Sequence, residues 1–331
     1  MSLLDDPDYL PFKLDLADQR LLLLRLTAQQ RAEAAFLDER ALPVEPQAAW
    51  IPLSLLAGAA PTTHAASADF IFHIGHCGST LLSRLLQSWR GVQVLREPLP
   101  LRSLAAALDD GSIARDETVL LLQQMIALWN RPQASSTHTL IKATSSCNAL
   151  IEPILEGGDG RALLLDMPLV PYLSTLFNAK ASIRDALAAE PGRRHHLAAL
   201  VEPGTLPEPD SVPERCALGW VAERLRFHAL SQGRHGARLM RIDFEDLLAR
   251  PEAVLAGIAT HLQLPRDGLA AALASPAWSR YSKAETHAYD ASDRQHDLAL
   301  AGRHFAAEID VGRRWRERFL QRHPQFSATL A

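Results

Sequence analysis

Residues 69–86 read DFIFHIGHCGSTLLSRLL, and the order of residue types in this stretch decides the fold. Phe70-Ile71-Phe72-His73-Ile74 is a short apolar run with the β-branched and aromatic content of a buried strand. It stops at Gly75, and Gly78-Ser79-Thr80 then lead directly into Leu81-Leu82-Ser83-Arg84-Leu85-Leu86, an apolar helix opening. A strand, a tight glycine loop and a helix N-terminus together make an anion cradle. The first N–H groups of a helix have no intrahelical partner and sit at the positive end of its dipole. Gly78 permits close approach of the backbone, while Ser79 and Thr80 offer hydroxyls to an anion or to the helix as caps. The stretch predicts a phosphate- or sulfate-binding loop. A plain strand-to-helix turn, with the same residues as caps, is the simpler alternative.

Downstream of this loop, short apolar runs alternate with helical stretches. Strands are expected at 70–74, 93–95, 139–141, 162–165 and 238–242, and helices at 80–89, 99–108, 116–129, 147–155, 170–180, 217–231 and 251–262. Buried strands of this length, separated by helices, imply an α/β domain with a parallel sheet flanked by helices. Residues 1–66 differ in character. Asp15 to Phe36 has helical spacing, with Leu16, Leu23, Leu26 and Phe36 as inner positions, and a small-residue linker follows at 60–69. The expected organisation is an N-terminal helical extension with its linker over 1–66 and an α/β domain over 67–331. The proline- and polar-rich region 190–215 reads as a surface loop or lid, with Arg193, Arg194, His195 and His196 solvated on it.

Composition removes several function classes. Of 331 residues, 34 are Lys or Arg and 38 Asp or Glu, a formal charge of −4 that lacks the basic footprint of a nucleic-acid binder. The longest leucine run, Leu21–Leu24, is bounded by Arg20 and Arg25 and is far short of a membrane span. Cys77, Cys147 and Cys216 are odd in number and widely spaced, which suggests neither a disulfide framework nor a zinc site. The N-terminus is acidic and lacks the layout of a signal peptide, so a cytoplasmic protein is expected.

In parallel α/β sheets ligands bind beyond the carboxyl ends of the strands, so functional side chains are sought there. Glu97 follows the second strand of the domain, where it can take a proton from an attacking hydroxyl or serve as a turn residue paired with Arg96 or Arg102. Lys142 ends the next strand. A buried ammonium without a partner is costly, so this lysine should face an anion or a carboxylate, Glu97 or Glu152. Ser145, Ser146 and Asn148 stand close by in sequence to orient it, and the fourth strand ends at Asp166.

The loop is not a Walker A motif, which requires G-x-x-x-x-G-K-S/T; Ser79 stands where the lysine belongs. The run His76-Cys77-Gly78-Ser79-Thr80-Leu81-Leu82 instead resembles the 5′-phosphosulfate loop of the PAPS-dependent sulfotransferase superfamily, with His76 in place of the usual Lys or Arg. The resemblance extends over roughly residues 68–325, through the order of its segments and the run Arg241-Ile242-Asp243-Phe244-Glu245-Asp246-Leu247. It implies a P-loop-like sulfotransferase fold and transfer of a sulfuryl group from PAPS to a hydroxyl or amine of a small-molecule acceptor, without a metal. On that resemblance Glu97 is the general base, and Lys142 and His76 stabilise charge on the sulfonyl and leaving oxygens. Gly75, His76, Cys77, Gly78, Ser79 and Thr80 hold the 5′-phosphosulfate, with Ser174 and Lys283 on the rest of the nucleotide. Asp166 departs from the pattern, since the family carries there an arginine for the 3′-phosphate. Either Arg184 or Lys283 supplies that charge, or the donor is not PAPS, or the fold has lost its activity. A P-loop small-molecule kinase and a non-catalytic nucleotide-binding protein are the competing readings. Acceptor identity and oligomeric state are not encoded in any motif of the chain.

Overall fold

The computed structural model describes residues 3–58, 68–131, 137–280 and 288–331. The chain opens with strands β1 (Tyr9–Asp15) and β2 (Arg20–Arg25), a short helix α1 (Ala28–Glu33) and strand β3 (Ala48–Pro52). The strands form an antiparallel three-stranded sheet in the order β1-β2-β3. This corrects the helical extension expected over these residues. A continuous run of four leucines satisfies a helical and a strand template equally, and tertiary burial decides between them. Here Leu21, Leu23 and Leu24 are all fully buried, whereas Leu16, an inner position on the helical reading, is half-buried in the hairpin turn. Gln19 closes that turn with φ 49°, and the Asp15 carboxylate accepts from Asp18 N–H and Arg20 across it. The β1–β2 register slips between Pro11 and Lys13, as expected where proline brings no N–H to the ladder.

The rest of the chain carries β4 (Asp69–His73), α2 (Ser79–Gln87), β5 (Val92–Arg96), α3 (Leu99–Asp109), α4 (Arg115–Trp129), β6 (His138–Lys142), α5 (Ile151–Gly157) and β7 (Ala162–Asp166). It continues with α6 (Leu169–Phe177), α7 (Lys180–Ala188), α8 (Glu190–Ala199), α9 (Val212–Gln232), β8 (Leu239–Asp243), α10 (Phe244–Ala249) and α11 (Pro251–His261). Last come α12 (Gly268–Leu273), α13 (Ala291–His304) and α14 (Ala306–Arg322). Strands β4 to β8 form a parallel five-stranded sheet in the order β5-β6-β4-β7-β8. All five strands lie within a residue or two of their expected positions. β4 and β7, in the middle of that order, are buried at every residue, which is why their sequences are unbroken apolar runs and do not alternate.

Two sequence expectations fail among the helices. Residues 190–199 form α8 where a loop was expected. Its opening Glu190-Pro191 suits a first helical turn, because proline there sacrifices no needed N–H and the carboxylate faces the positive end of the dipole. The helix expected at 170–180 ends at Phe177, and α7 starts afresh at Lys180.

The described chain gathers into two compact units. The first draws on Met1–His73, Ser79–Leu163 and Pro251–His287, and the second on Ile74–Gly78, Leu164–Arg250 and Ala288–Ala331. In the first unit the N-terminal segment ties to α4 and β5. Trp129 Nε1 donates to the Pro11 carbonyl at 3.1 Å, and Leu37 N–H to the Arg96 carbonyl at 2.6 Å. Arg96, expected as a possible partner for Glu97, is fully buried and spends its guanidinium on Ser83 and on the carbonyls of Ala32 and Ala34. In the second unit α14 lies against α9 through the fully buried Trp315 and Phe319 and through Arg318, which pairs with Glu214 at 2.7 Å. Among the described residues no helix is long and apolar enough to cross a membrane.

Candidate functional site

In the first unit the sequence-predicted pair comes together. β5 and β6 run parallel in register from Val92↔His138 to Arg96↔Lys142, so the residues ending them are neighbours. Glu97 follows directly, its N–H bonded to the Lys142 carbonyl at 2.6 Å. Lys142 Nζ bonds Glu97 Oε1, with the two side chains 1% and 9% exposed. The other oxygen, Oε2, accepts from Arg102 Nη2 at 3.0 Å, and Arg102 also reaches Thr144 Oγ1 at 3.0 Å. Of the partners the sequence offered, Lys142 takes Glu97 rather than Glu152, and Glu97 takes Arg102 rather than Arg96. Glu97 also adopts φ 56°. A left-handed glutamate costs on the order of 1–3 kcal/mol, and such strain persists where the surroundings over-determine it, often at functional sites.

Residues from the N-terminal segment also surround this pair, a placement the sequence did not predict. Phe36, from the segment after α1, lies with its ring centroid 5.6 Å from Lys142 Nζ, and the Arg40 guanidinium sits 3.9 Å from the same ring. Arg40 is held by Asp38, whose carboxyl is drawn below its ordinary range: the hydrogen bonds and charge of Arg40 outweigh the raising effect of burial. In the sequence Phe36 stands only as an inner position of an expected helix, and nothing local points to Lys142 as its neighbour. Asn148, considered as an aid to Lys142, instead donates to the His73 carbonyl at 3.1 Å. His73 Nε2 lies 3.0 Å from the Ala143 carbonyl, a pure acceptor, so the ring proton sits on Nε2. Ser79 and Thr80 form the first turn of α2, and both are buried.

In the second unit the loop itself is left-handed at three positions: Gly75 at φ 96°, His76 at φ 52° and Gly78 at φ 80°. Gly78 answers a second demand, since a Cβ added there would stand 2.0 Å from the Phe244 ring. Cys77 is fully buried and its Sγ meets the Leu165 carbonyl at 3.4 Å, so the thiol faces the interior. His76 is half-buried.

Asp166, at the end of β7, is not left as a bare negative charge. Arg241 Nη2 reaches Asp166 Oδ2 at 2.8 Å, and Arg224 Nε lies 3.5 Å from the same oxygen. These two arginines supply the balancing charge. Arg184, offered in the sequence as a cation for a 3′-phosphate, is exposed on α7, and Lys283, offered with it, lies outside the described residues. Asp243, at the end of β8, caps α10 by accepting from Glu245 N–H at 2.8 Å. Burial, with the charge of Asp166 added, raises its carboxyl above the ordinary range. Ser174 is buried within α6 and donates its hydroxyl to the Val170 carbonyl at 2.9 Å. Arg193, expected on a solvated loop, is buried and paired with Glu223 at 3.0 Å. Among the described residues no group of three or more His, Cys, Asp and Glu is placed to hold a metal ion.

No family model matches the sequence, and no curated protein does. Solved structures do match in chain path. The sulfotransferase domain from the curacin biosynthetic pathway is 14% identical, over 73% of this chain and 91% of that one, with a TM-score of 0.40. The sulfotransferase domain of the Synechococcus PCC 7002 olefin synthase is 15% identical over 81% and 97%, TM-score 0.39. Mouse sulfotransferase SULT7A1, complexed with PAP, is 12% identical over 79% and 93%, TM-score 0.37. Likeness of this size carries no argument about what the side chains do.

Proposed function

We propose that the chain is a sulfotransferase-like enzyme that moves a sulfuryl group from PAPS to a hydroxyl or amine of a small acceptor. The observation that carries this reading is the buried Glu97–Lys142 pair at the ends of adjacent parallel strands, with Glu97 held in a strained backbone. A buried lysine–glutamate pair is a poor stabiliser, so its placement at a strand end, where ligands of parallel sheets bind, supports a chemical role.

In the proposed reaction the acceptor oxygen attacks sulfur as the bond from sulfur to the 5′-phosphate oxygen breaks, and PAP leaves. Glu97 takes the acceptor proton. It does so once Arg102, the more exposed of its two cationic partners at 38%, gives up Oε2 to the acceptor. Lys142 then faces the negative charge that builds on the transferring group. A preorganised donor of this kind is worth about 3–4 kcal/mol at a transition state. The N–H groups of the left-handed loop and of the first turn of α2 are the donors proposed for the phosphosulfate, with His76 adding a cation only when protonated.

One observation favours a non-catalytic nucleotide-binding protein: both carboxylate oxygens of Glu97 are already engaged by charged donors. Calorimetric titration with PAP, PAPS and Mg-ATP, followed by turnover of PAPS over a panel of alcohols, phenols and amines, separates the readings. The enzyme reading expects PAP binding of roughly micromolar strength without magnesium. It also expects Glu97→Gln to lose turnover by about 10²–10⁴-fold while PAP affinity is kept. Binding of Mg-ATP alone would point to a kinase, and PAP binding with no turnover to the non-catalytic protein.

A further inference from the structure

Arg193 and Glu223 are buried charges for which the proposed chemistry has no use. Arg193, on α8, donates from Nε to Glu223 Oε1 on α9 at 3.0 Å. Its Nη2 approaches the main-chain carbonyl of Ile74 at 3.4 Å. Ile74 immediately precedes Gly75, so the guanidinium meets the chain where the strand gives way to the loop. Glu223 holds a second cation, Arg226, at 3.3 Å. Tyr172, Cys77 and Cys216, all buried, share this neighbourhood. Gly219 on α9 lies beside the arginine, where an added Cβ would meet Arg193 Cδ and Nη1 at 3.4 Å, about van der Waals contact.

An ion pair taken out of water carries a desolvation cost that apolar side chains of the same volume avoid. The carbonyl that Arg193 holds leads into three left-handed positions, Gly75, His76 and Gly78, and such backbone persists only where its surroundings over-determine it. The loop has no lysine or arginine of its own. Arg193 lies beside Glu223 and Arg226 in a low-dielectric interior, where the field of a charge is screened far less than in water.

We propose that Arg193 is a positioning residue for the anion loop: it fixes the Ile74 carbonyl, and its charge, partly masked by Glu223, raises the loop's affinity for a phosphate or sulfate group. The proposal rests on reading residues 75–80 as an anion cradle. It is tested by titrating 3′-phosphoadenosine 5′-phosphate and, separately, inorganic pyrophosphate into the parent chain, Arg193→Met, Arg193→Lys and Glu223→Gln. Each titration is run at low and high salt, with thermal unfolding as the check of folding. Arg193→Met should bind both anions at least roughly tenfold more weakly, and Arg193→Lys should recover most of that loss. Glu223→Gln should bind more tightly than the parent and with a steeper salt dependence, because it unmasks the arginine. A purely structural prop would weaken binding in Glu223→Gln as it does in Arg193→Met. Weaker binding in Glu223→Gln, or unchanged binding in Arg193→Met, overturns the proposal and leaves the cradle standing. Absence of anion binding by the parent overturns both. If Arg193→Met does not fold, the opposite shifts expected of Arg193→Lys and Glu223→Gln still decide the matter.

Discussion

Glu97, Lys142 and Asp166 each carry a charge whose meaning depends on what stands opposite. The sequence located all three at strand ends, and they are there. It offered Glu97 or Glu152 as a partner for Lys142 without choosing between them, and it gave no sign that Arg241 and Arg224 would neutralise Asp166, because those partners come from distant segments. His196 shows the same dependence. It is half-buried on α8, its Nε2 has no hydrogen-bond partner among the described residues, and burial together with Arg226 lowers its pKa to about 4. In the unfolded chain the imidazole titrates near 6.5, so between pH 6.5 and 4 the unfolded state binds more protons than the folded one. Stability is therefore complete above that window and falls as pH drops through it, by no more than about 3 kcal/mol. Urea unfolding at stepped pH should show this decline in the parent and a flatter profile in His196→Gln. Equal slopes in the two would remove His196 as its source.

At the scale of elements, all five strands of the parallel sheet were legible, β4 and β7 most plainly, because strands covered on both faces have apolar centres. The N-terminal hairpin was not. Leu21–Leu24 is apolar in every direction, and the choice between helix and strand fell to partners supplied by β1 and β3. The two readings assign different weights to single leucines. Leu21→Ala should cost about 2–5 kcal/mol, as a fully buried strand residue does, and Leu16→Ala well under that. Denaturant midpoints for the two variants check this, and a reversed order would restore the helical reading. Helix α8 was missed for a related reason. Arg193-Arg194-His195-His196 looks like a solvated run until Glu223 removes Arg193 from solvent.

At the scale of the whole molecule, the odd cysteine count finds its counterpart in burial. Cys77, Cys147 and Cys216 are each at most 2% exposed and are free. Burial pushes the thiols of Cys147 and Cys216 up to about 11. All three should be silent towards an aromatic disulfide reagent at neutral pH in the native protein and react together in denaturant. Rapid labelling of Cys77 in the folded chain would mean that the glycine loop opens far more readily than its packing implies. The sequence by itself determined the α/β alternation, the glycine loop and the strand-end carboxylate and lysine, because each is written in local residue order and in the chemistry of single side chains. Tertiary structure alone decided which charges are paired, which leucines form a sheet, and which arginine stands behind the loop. Those outcomes depend on burial and on contacts between residues as far apart in sequence as Ile74 and Arg193, where local order carries no information.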